Sequence, residues 1–430
     1  LNGSFCRCLG VALVQAFLFG AITKEKRQMK IWNHWLVAVS ALALSVTPAL
    51  AQKKYDTGAS DTEIKLGMAM PYSGPVSSYG IIGKVNEAYF KMLNEKGGIN
   101  GRKVTLISYD DQYSPPRTTE VVRRLVEQDE VLAVYGNLGS AANAGIMRYM
   151  NAKKVPHLFL GVGAERFNDP KAHPWTTPYM PSYEGEGALY ARNILKTHPT
   201  AKIAVLYQND DMGKDLLKGL KQGLGDKAAM VVSEASFEVA DPTVDSQIIK
   251  LHSSGADVFV NFSTARFAAQ AIRKVYDIGW RPKQQYLTYV SAYVKMTLEP
   301  AGLEKSKDIM AMAFFKDPIQ PRWANDPKTQ EYLAFMKKYA PDQDINNAAA
   351  SYAYNLAQTM AHVLKASGDD LTRANVLKQA TSLKGLATDL LLPGISMTTT
   401  PTDYWPFSNL QLVKFNGKEF EPMGDSIAVK

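Results

Sequence analysis

Two acid pairs, Asp110-Asp111 and Asp210-Asp211, each follow an apolar run in this 430-residue chain. Paired carboxylates there suit metal ligation or acid/base work, because α/β proteins place their sites beyond the carboxyl ends of strands. The plainer reading, and the one preferred, is that their oxygens cap helix starts and shape turns. Gly136-Asn137-Leu138-Gly139-Ser140 offers different chemistry. Where such a turn opens a helix, the free N–H groups, the helix dipole and the Ser140 hydroxyl together form a cradle for a carboxylate. Gly161-Val162-Gly163 resembles half of a dinucleotide fingerprint, but Arg166 stands where a third glycine would be needed. The sequence has no G-x-S-x-G elbow, no phosphate loop and no H-E-x-x-H pair, and histidines 157, 173, 198, 252 and 362 are scattered. No catalytic set, metal site or cofactor is expected.

The elements that must hold these residues read as a βα alternation. Strands are expected at 63–69, 103–109, 131–135, 156–160, 202–207, 230–236 and 257–262. Helices are expected at 81–96, 118–128, 141–152, 185–196, 213–224, 244–252 and 265–278. Such alternation argues for βαβ units and parallel sheets covered on both faces. That many strands exceed one sheet, so two α/β lobes follow. A proline-rich stretch (Pro170, Pro174, Pro178, Pro181) marks a break before the helix near Gly185, and helix-rich sequence from 327 to 383 leads into a strand-like tail.

Charge first suggests a nucleic-acid partner, with 49 Lys+Arg against 41 Asp+Glu. Its location removes that reading. Residues 29–51 carry a basic start at Met29-Lys30, an apolar stretch from Trp35 to Val46, and Ala49-Leu50-Ala51 before Gln52. This is the pattern of a secretory signal cleaved between Ala51 and Gln52, and the apolar run is shorter than the roughly 20 residues a spanning helix needs. Residues 1–28 are read as an upstream extension. Residues 1–51 hold five bases (Arg7, Lys24, Lys26, Arg27, Lys30) and one acid (Glu25), so the expected mature chain keeps 44 bases and 40 acids. It also loses both cysteines, Cys6 and Cys8, and with them thiol catalysis, disulfides and cysteine zinc sites.

The ordered segments IKLGMAMPYSGPVSSYG, NEKGGINGRKVTLISYDD, VYGNLGSAANA and KIAVLYQNDDMGKDLLKGLKQGL, behind such a signal, resemble the periplasmic substrate-binding proteins of ABC importers for branched-chain amino acids. The resemblance spans residues 61–425. It implies the type I periplasmic binding fold: two Rossmann-like lobes with parallel sheets, joined by three hinge crossovers near Ser182, Ala313 and Pro393. The N-terminal lobe would be 61–182 plus 313–392, and the C-terminal lobe 183–312 plus 393–430.

By the same resemblance, Tyr79 falls on the pocket tyrosine after the S-G-P segment, and Ser140 on the serine that binds the ligand carboxylate, with Asn137 and Gly139 in its loop. Gly161, Val162 and Gly163 fall on the neighbouring pocket loop, where relatives have a threonine hydroxyl. The second-lobe positions that hold acids for the ligand ammonium in amino-acid binders fall on Tyr183 and Val290, with Thr264 on a third loop. Met212 replaces a common tyrosine. An ammonium partner would have to come from Glu184, Glu186 or another second-lobe acid, since an unpaired buried ammonium costs several kcal/mol. The expectation is therefore a non-enzymatic, monomeric periplasmic protein that carries a small carboxylate to an ABC permease. The acid expected is aromatic or branched aliphatic without an amino group; a branched-chain amino acid, or a sensor role before a receptor, is the alternative. No nucleic-acid partner and no membrane insertion of the mature chain are expected.

Overall fold

A computed structural model describes residues 53–429. The expected upstream extension, the signal segment and both cysteines lie outside the described residues. Two sheets organise the chain. The first contains β2 (Glu63–Met70), β3 (Lys103–Asp110), β4 (Ala133–Tyr135), β5 (His157–Leu160) and β6 (Thr176–Pro178), in the order β3-β2-β4-β5-β6 and parallel throughout. The second contains β7 (Ile203–Gln208), β8 (Val231–Phe237), β9 (Val258–Phe262), β10 (Gln284–Leu287), β11 (Met310–Ala313), β13 (Asn409–Phe415) and β14 (Phe420–Ala428). Its order is β14-β13-β11-β10-β9-β7-β8, with β13 running against both of its neighbours and the other pairings parallel. A two-stranded piece pairs β1 (Lys54–Tyr55) with β12 (Asp370–Leu371).

Burial follows the strand positions. The central strands β4 and β9 are buried along their whole length, as parallel strands covered by helices on both faces must be. Each Val or Phe so enclosed stabilises the fold by about 1.5–3 kcal/mol. The edge strands β3 and β8 are only partly buried. Pro178 is accommodated because β6 is an edge, where a missing backbone N–H costs no ladder bond.

Seven helices follow strands or crossovers: α1 (Ile81–Glu95), α2 (Pro115–Glu127), α3 (Ser140–Lys153), α4 (Tyr183–Thr197), α5 (Asp211–Leu224), α6 (Asp245–Ser253) and α7 (Ala265–Asp277). Then α8 (Pro327–Tyr339), α9 (Ala349–Ser367) and α10 (Arg373–Ala380) return to the first lobe, where α9 lies against α1. The chain passes between the lobes three times: between β6 and α4, after β11, and before β13. The second passage is bonded to residues 390–392 of the first-lobe segment that leads to the third, with Lys316 N donating to Leu390 O at 2.7 Å and Leu392 N to Phe314 O at 3.1 Å. Residues 393–408 stay with the first lobe, since Asn168 Nδ2 donates to Asp403 Oδ1 at 3.0 Å and Tyr404 N donates to Asn168 Oδ1 at 2.7 Å. The chain joins the second sheet only at Asn409. Among the described residues no helix is long and apolar enough to cross a membrane.

Candidate functional site

Both lobes share one winding order. In the first sheet successive strands turn one way from β2 to β3 and the other way from β2 to β4; in the second the same reversal occurs at β7, between β8 and β9. A reversal leaves a crevice beyond the carboxyl ends of the two strands that flank it, the usual place for a ligand in open α/β sheets. Here the two crevices share one cavity of about 20 Å³, lined by Val76, Tyr79, Tyr113, Leu138, Gly139, Ser140 and Gly161 from the first lobe and by Tyr183, Met212, Thr264 and Val290. With the lobes drawn together in this way, the space holds about one water, and a larger ligand enters only as they part.

The start of α3 is the polar end of the cavity. Gly139, with φ 94°, is the residue before the helix, and a side chain there would stand 2.4 Å from the Tyr113 ring. Ser140 is 2% exposed and its Oγ has no hydrogen-bond partner. A buried, unpaired hydroxyl beside free helix-start N–H groups is costly unless a ligand oxygen meets it. Asn143 holds this loop: its Nδ2 donates to Gly139 O at 2.8 Å and to Asn137 O at 3.2 Å. His157 Nε2 lies 2.9 Å from Asn143 Oδ1, so that nitrogen carries the proton. Burial pushes the His157 pKa down to about 3, and the ring is a neutral structural group.

Tyr79 joins the lobes. It stands in the turn Ser77–Gly80; its hydroxyl donates to Val290 O at 2.9 Å and accepts from Ala265 N, the first N–H of α7, at 3.1 Å. Tyr113 reaches the cavity through two successive left-handed residues, Gln112 and Tyr113, both at φ 57°. Asp111 steadies that turn by accepting from Tyr113 N at 3.0 Å and from Thr118 Oγ1 at 2.8 Å. The Tyr113 hydroxyl stands close to the Gln208 side chain across the cleft. Gln208 accepts from Thr264 Oγ1 at 3.0 Å and donates to Asp210 Oδ2 at 2.6 Å. Asp210 also caps α5 through Gly213 N, and burial pushes its pKa up to about 6.

Eight expected residues therefore line the cavity: Tyr79, Gly139, Ser140, Gly161, Tyr183, Met212, Thr264 and Val290. Asn137, Val162 and Gly163 lie behind the lining. The Asn137 Oδ1 accepts from Ala69 N at 2.8 Å, tying β2 to the loop, and Val162 is fully buried in the core. Gly163 accepts from Tyr183 N at 2.8 Å, and a side chain there would stand 2.1 Å from Pro181 O, so it lets Tyr183 approach. Val76, Tyr113 and Leu138 are lining residues that the sequence reading did not single out. Leu138 was legible, since it sits inside the cradle loop; Tyr113 carries no local signal.

Asp110, Asp111 and Asp210 serve turns and a cap, as preferred above, while Asp211 pairs with Arg166 at 3.3 Å. Asp110 Oδ1 accepts from Tyr72 N, Ser73 N and Gln112 N at 3.0–3.2 Å. Among the described residues no group of His, Cys, Asp or Glu could hold a metal ion. Glu184 pairs with Lys218 at 2.6 Å, and Glu186 is buried behind the lining, so neither reaches the cavity.

Two doubly wound lobes, bonded across a small closed cavity at both winding reversals, define a protein that encloses a small molecule. The model of the periplasmic binding protein family matches residues 63–418, and the chain belongs to that family. The Leu/Ile/Val-binding protein homolog 7 of Brucella suis biovar 1 is 24% identical over 322 residues, 72% of this chain and 78% of its own. A branched-chain amino acid ABC transporter structure from Thermus thermophilus with bound valine superposes with TM-score 0.76 at 14% identity, covering 86% of this chain and 97% of that one. A solute-binding protein of an ABC transporter from R. palustris in complex with benzoate gives TM-score 0.70 at 17% identity, covering 85% and 98%.

Proposed function

We propose that this protein is an extracytoplasmic solute-binding protein that captures a small carboxylate between its lobes and delivers it to an ABC permease. The acid is aromatic or branched aliphatic and lacks an amino group. One observation carries this reading: the buried, unpartnered Ser140 hydroxyl at the start of α3 faces a cavity whose lining holds no charged side chain. Such a site stabilises an anion at one end and offers aromatic and aliphatic surface to the rest. A ligand that contacts both lobes favours the closed form by its differential affinity. Micromolar capture needs about 8 kcal/mol, within reach of one carboxylate cradle plus enclosure. The family membership supports the carrier role, and the benzoate-bound neighbour supports an amino-free acid.

A second reading has its own support. Asp210 lies close enough to Tyr113 and Tyr183 to act on both electrostatically, so a carboxylate stands just behind the lining. With the valine-bound neighbour and the named relatives, this favours a branched-chain amino acid. A thermal-shift screen separates them: benzoate and 4-methylpentanoate against leucine, isoleucine and valine. Stabilisation by the amino-free acids supports the first reading; stabilisation by the amino acids alone overturns it.

A further inference from the structure

Behind the lining, Glu186 is fully buried on α4. Its Oε2 meets Thr288 Oγ1 at 2.9 Å, and its Oε1 meets Tyr289 N at 2.7 Å and Tyr190 Oη at 2.8 Å. Tyr190 Oη in turn lies 2.7 Å from Leu287 O and accepts from Met312 N at 3.0 Å. The protons do not balance if Glu186 is ionised. Tyr190 has one hydroxyl proton, and two acceptors, Glu186 Oε1 and Leu287 O, both stand at hydrogen-bond distance from its oxygen. Given to either, that proton leaves the other contact as two facing lone pairs in a buried site.

One more proton resolves the arrangement. A protonated Glu186 donates to Tyr190 Oη, Tyr190 donates to Leu287 O, and Met312 N fills the remaining acceptor position. Tyr289 N and Thr288 Oγ1 still donate to the carboxyl. We propose that Glu186 is a positioning residue held in its neutral, proton-donating form, pinning the second lobe's wall of the cleft. The pinned segment, Thr288-Tyr289-Val290, does three things: Val290 lines the cavity, Val290 O accepts the Tyr79 hydroxyl from the other lobe, and the Tyr289 hydroxyl donates to Pro181 O in the first crossover at 2.6 Å.

The surroundings agree. The titratable groups facing Glu186 are tyrosines, Tyr190 from its own helix, Tyr289 and its stacking partner Tyr183, with Tyr286 of β10 against Tyr190. The charges of the adjoining α5 are spent elsewhere, Lys218 on Glu184 and Asp215 on Glu165 N. Burial without a cation pushes the Glu186 pKa up to about 8. Because the folded pKa is raised, the folded state keeps a proton that the unfolded chain releases above about 4.5. Stability conferred this way is full at low pH and is lost as pH rises to about 8, beyond which it levels off.

The test needs no ligand, so its failure is distinct from failure of the carboxylate reading. Glu186→Gln keeps the side-chain size and removes the titrating proton; its amide nitrogen can donate to Tyr190 but cannot also accept from Tyr289 N, so one contact is lost at every pH. It should fold with a pH-independent loss of stability and lack the pH slope: relative to this variant, the wild-type folding constant should fall about tenfold per pH unit between roughly pH 5 and 8. Glu186→Ala should lose stability at every pH. Should Glu186→Gln fail to fold, ¹³C NMR of wild-type protein labelled at the glutamate side-chain carboxyl decides, with one glutamate expected to titrate near pH 8. The proposal is overturned if all glutamates titrate below pH 6, or if the Gln variant folds yet shows the wild-type slope.

Discussion

Replacing Tyr79 by Phe removes one oxygen and leaves the ring, which isolates the bond between the lobes. In the closed form the hydroxyl serves Val290 O at 2.9 Å and Ala265 N at 3.1 Å, and the ring meets Tyr293 edge-on at 6.3 Å. Two hydrogen bonds at about 1 kcal/mol each, with both partners left buried, put the cost to the closed form at about 2 kcal/mol. The open form pays nothing, because water reaches both groups once the lobes part. A loss of about 2 kcal/mol is roughly 30-fold in the closed-to-open ratio, and it passes into affinity when capture requires closure. Titration calorimetry with the acid that performs best in the screen should therefore show binding weakened by roughly 30-fold. The melting temperature of the ligand-free protein should change little. Affinity within twofold of wild type would refute the reasoning and leave the ring alone as the contribution of Tyr79.

Ser140→Ala should weaken carboxylate binding by about 1–3 kcal/mol while leaving the ligand-free fold intact, since the hydroxyl has no partner to lose; an unchanged dissociation constant removes the cradle. Gly163→Ala should abolish detectable capture and lower the melting temperature, because the new methyl meets Pro181 O and the Tyr289 hydroxyl and displaces Tyr183; wild-type binding by this variant counts against a packed hinge. Asp210→Asn keeps the helix cap through its amide oxygen, turns an N–H toward the Gln208 Nε2 donor, and removes a carboxyl whose raised pKa costs folding free energy as pH climbs from about 4 to about 6. Melts should show wild type losing stability relative to this variant between about pH 4 and pH 6, on top of a constant loss in the variant from the missing Gln208 bond. A variant less stable than wild type only at pH 7 would mean that the ionised form is favoured instead.

The α/β class and the strand-to-helix turn at Ser140 could be read from the sequence because both rest on local rules. Buried parallel strands appear as apolar runs, and a Gly/Ser turn between such a run and a helix start exposes N–H groups whatever surrounds it. The strands β10 (QQYL) and β11 (MAMA) escaped because four residues of that composition carry no period that separates strand from helix. Tyr113 escaped because its place depends on a left-handed turn steadied by Asp111 and on Gln208 in the other lobe.

What only the tertiary structure decided is how the two lobes spend their polar groups on each other. The sequence left Glu184, Glu186 or another second-lobe acid open as partners for a ligand ammonium. Folding pairs the first with a surface lysine, seals the second among tyrosines, and sets Asp210, read from the sequence as a cap or turn residue, at a helix start behind the lining. Pattern along the chain sets which residues are apolar and where helices begin. Desolvation and hydrogen-bond partnership are set by segments remote in sequence, and these determine which carboxyl is ionised and which hydroxyl is left for a ligand.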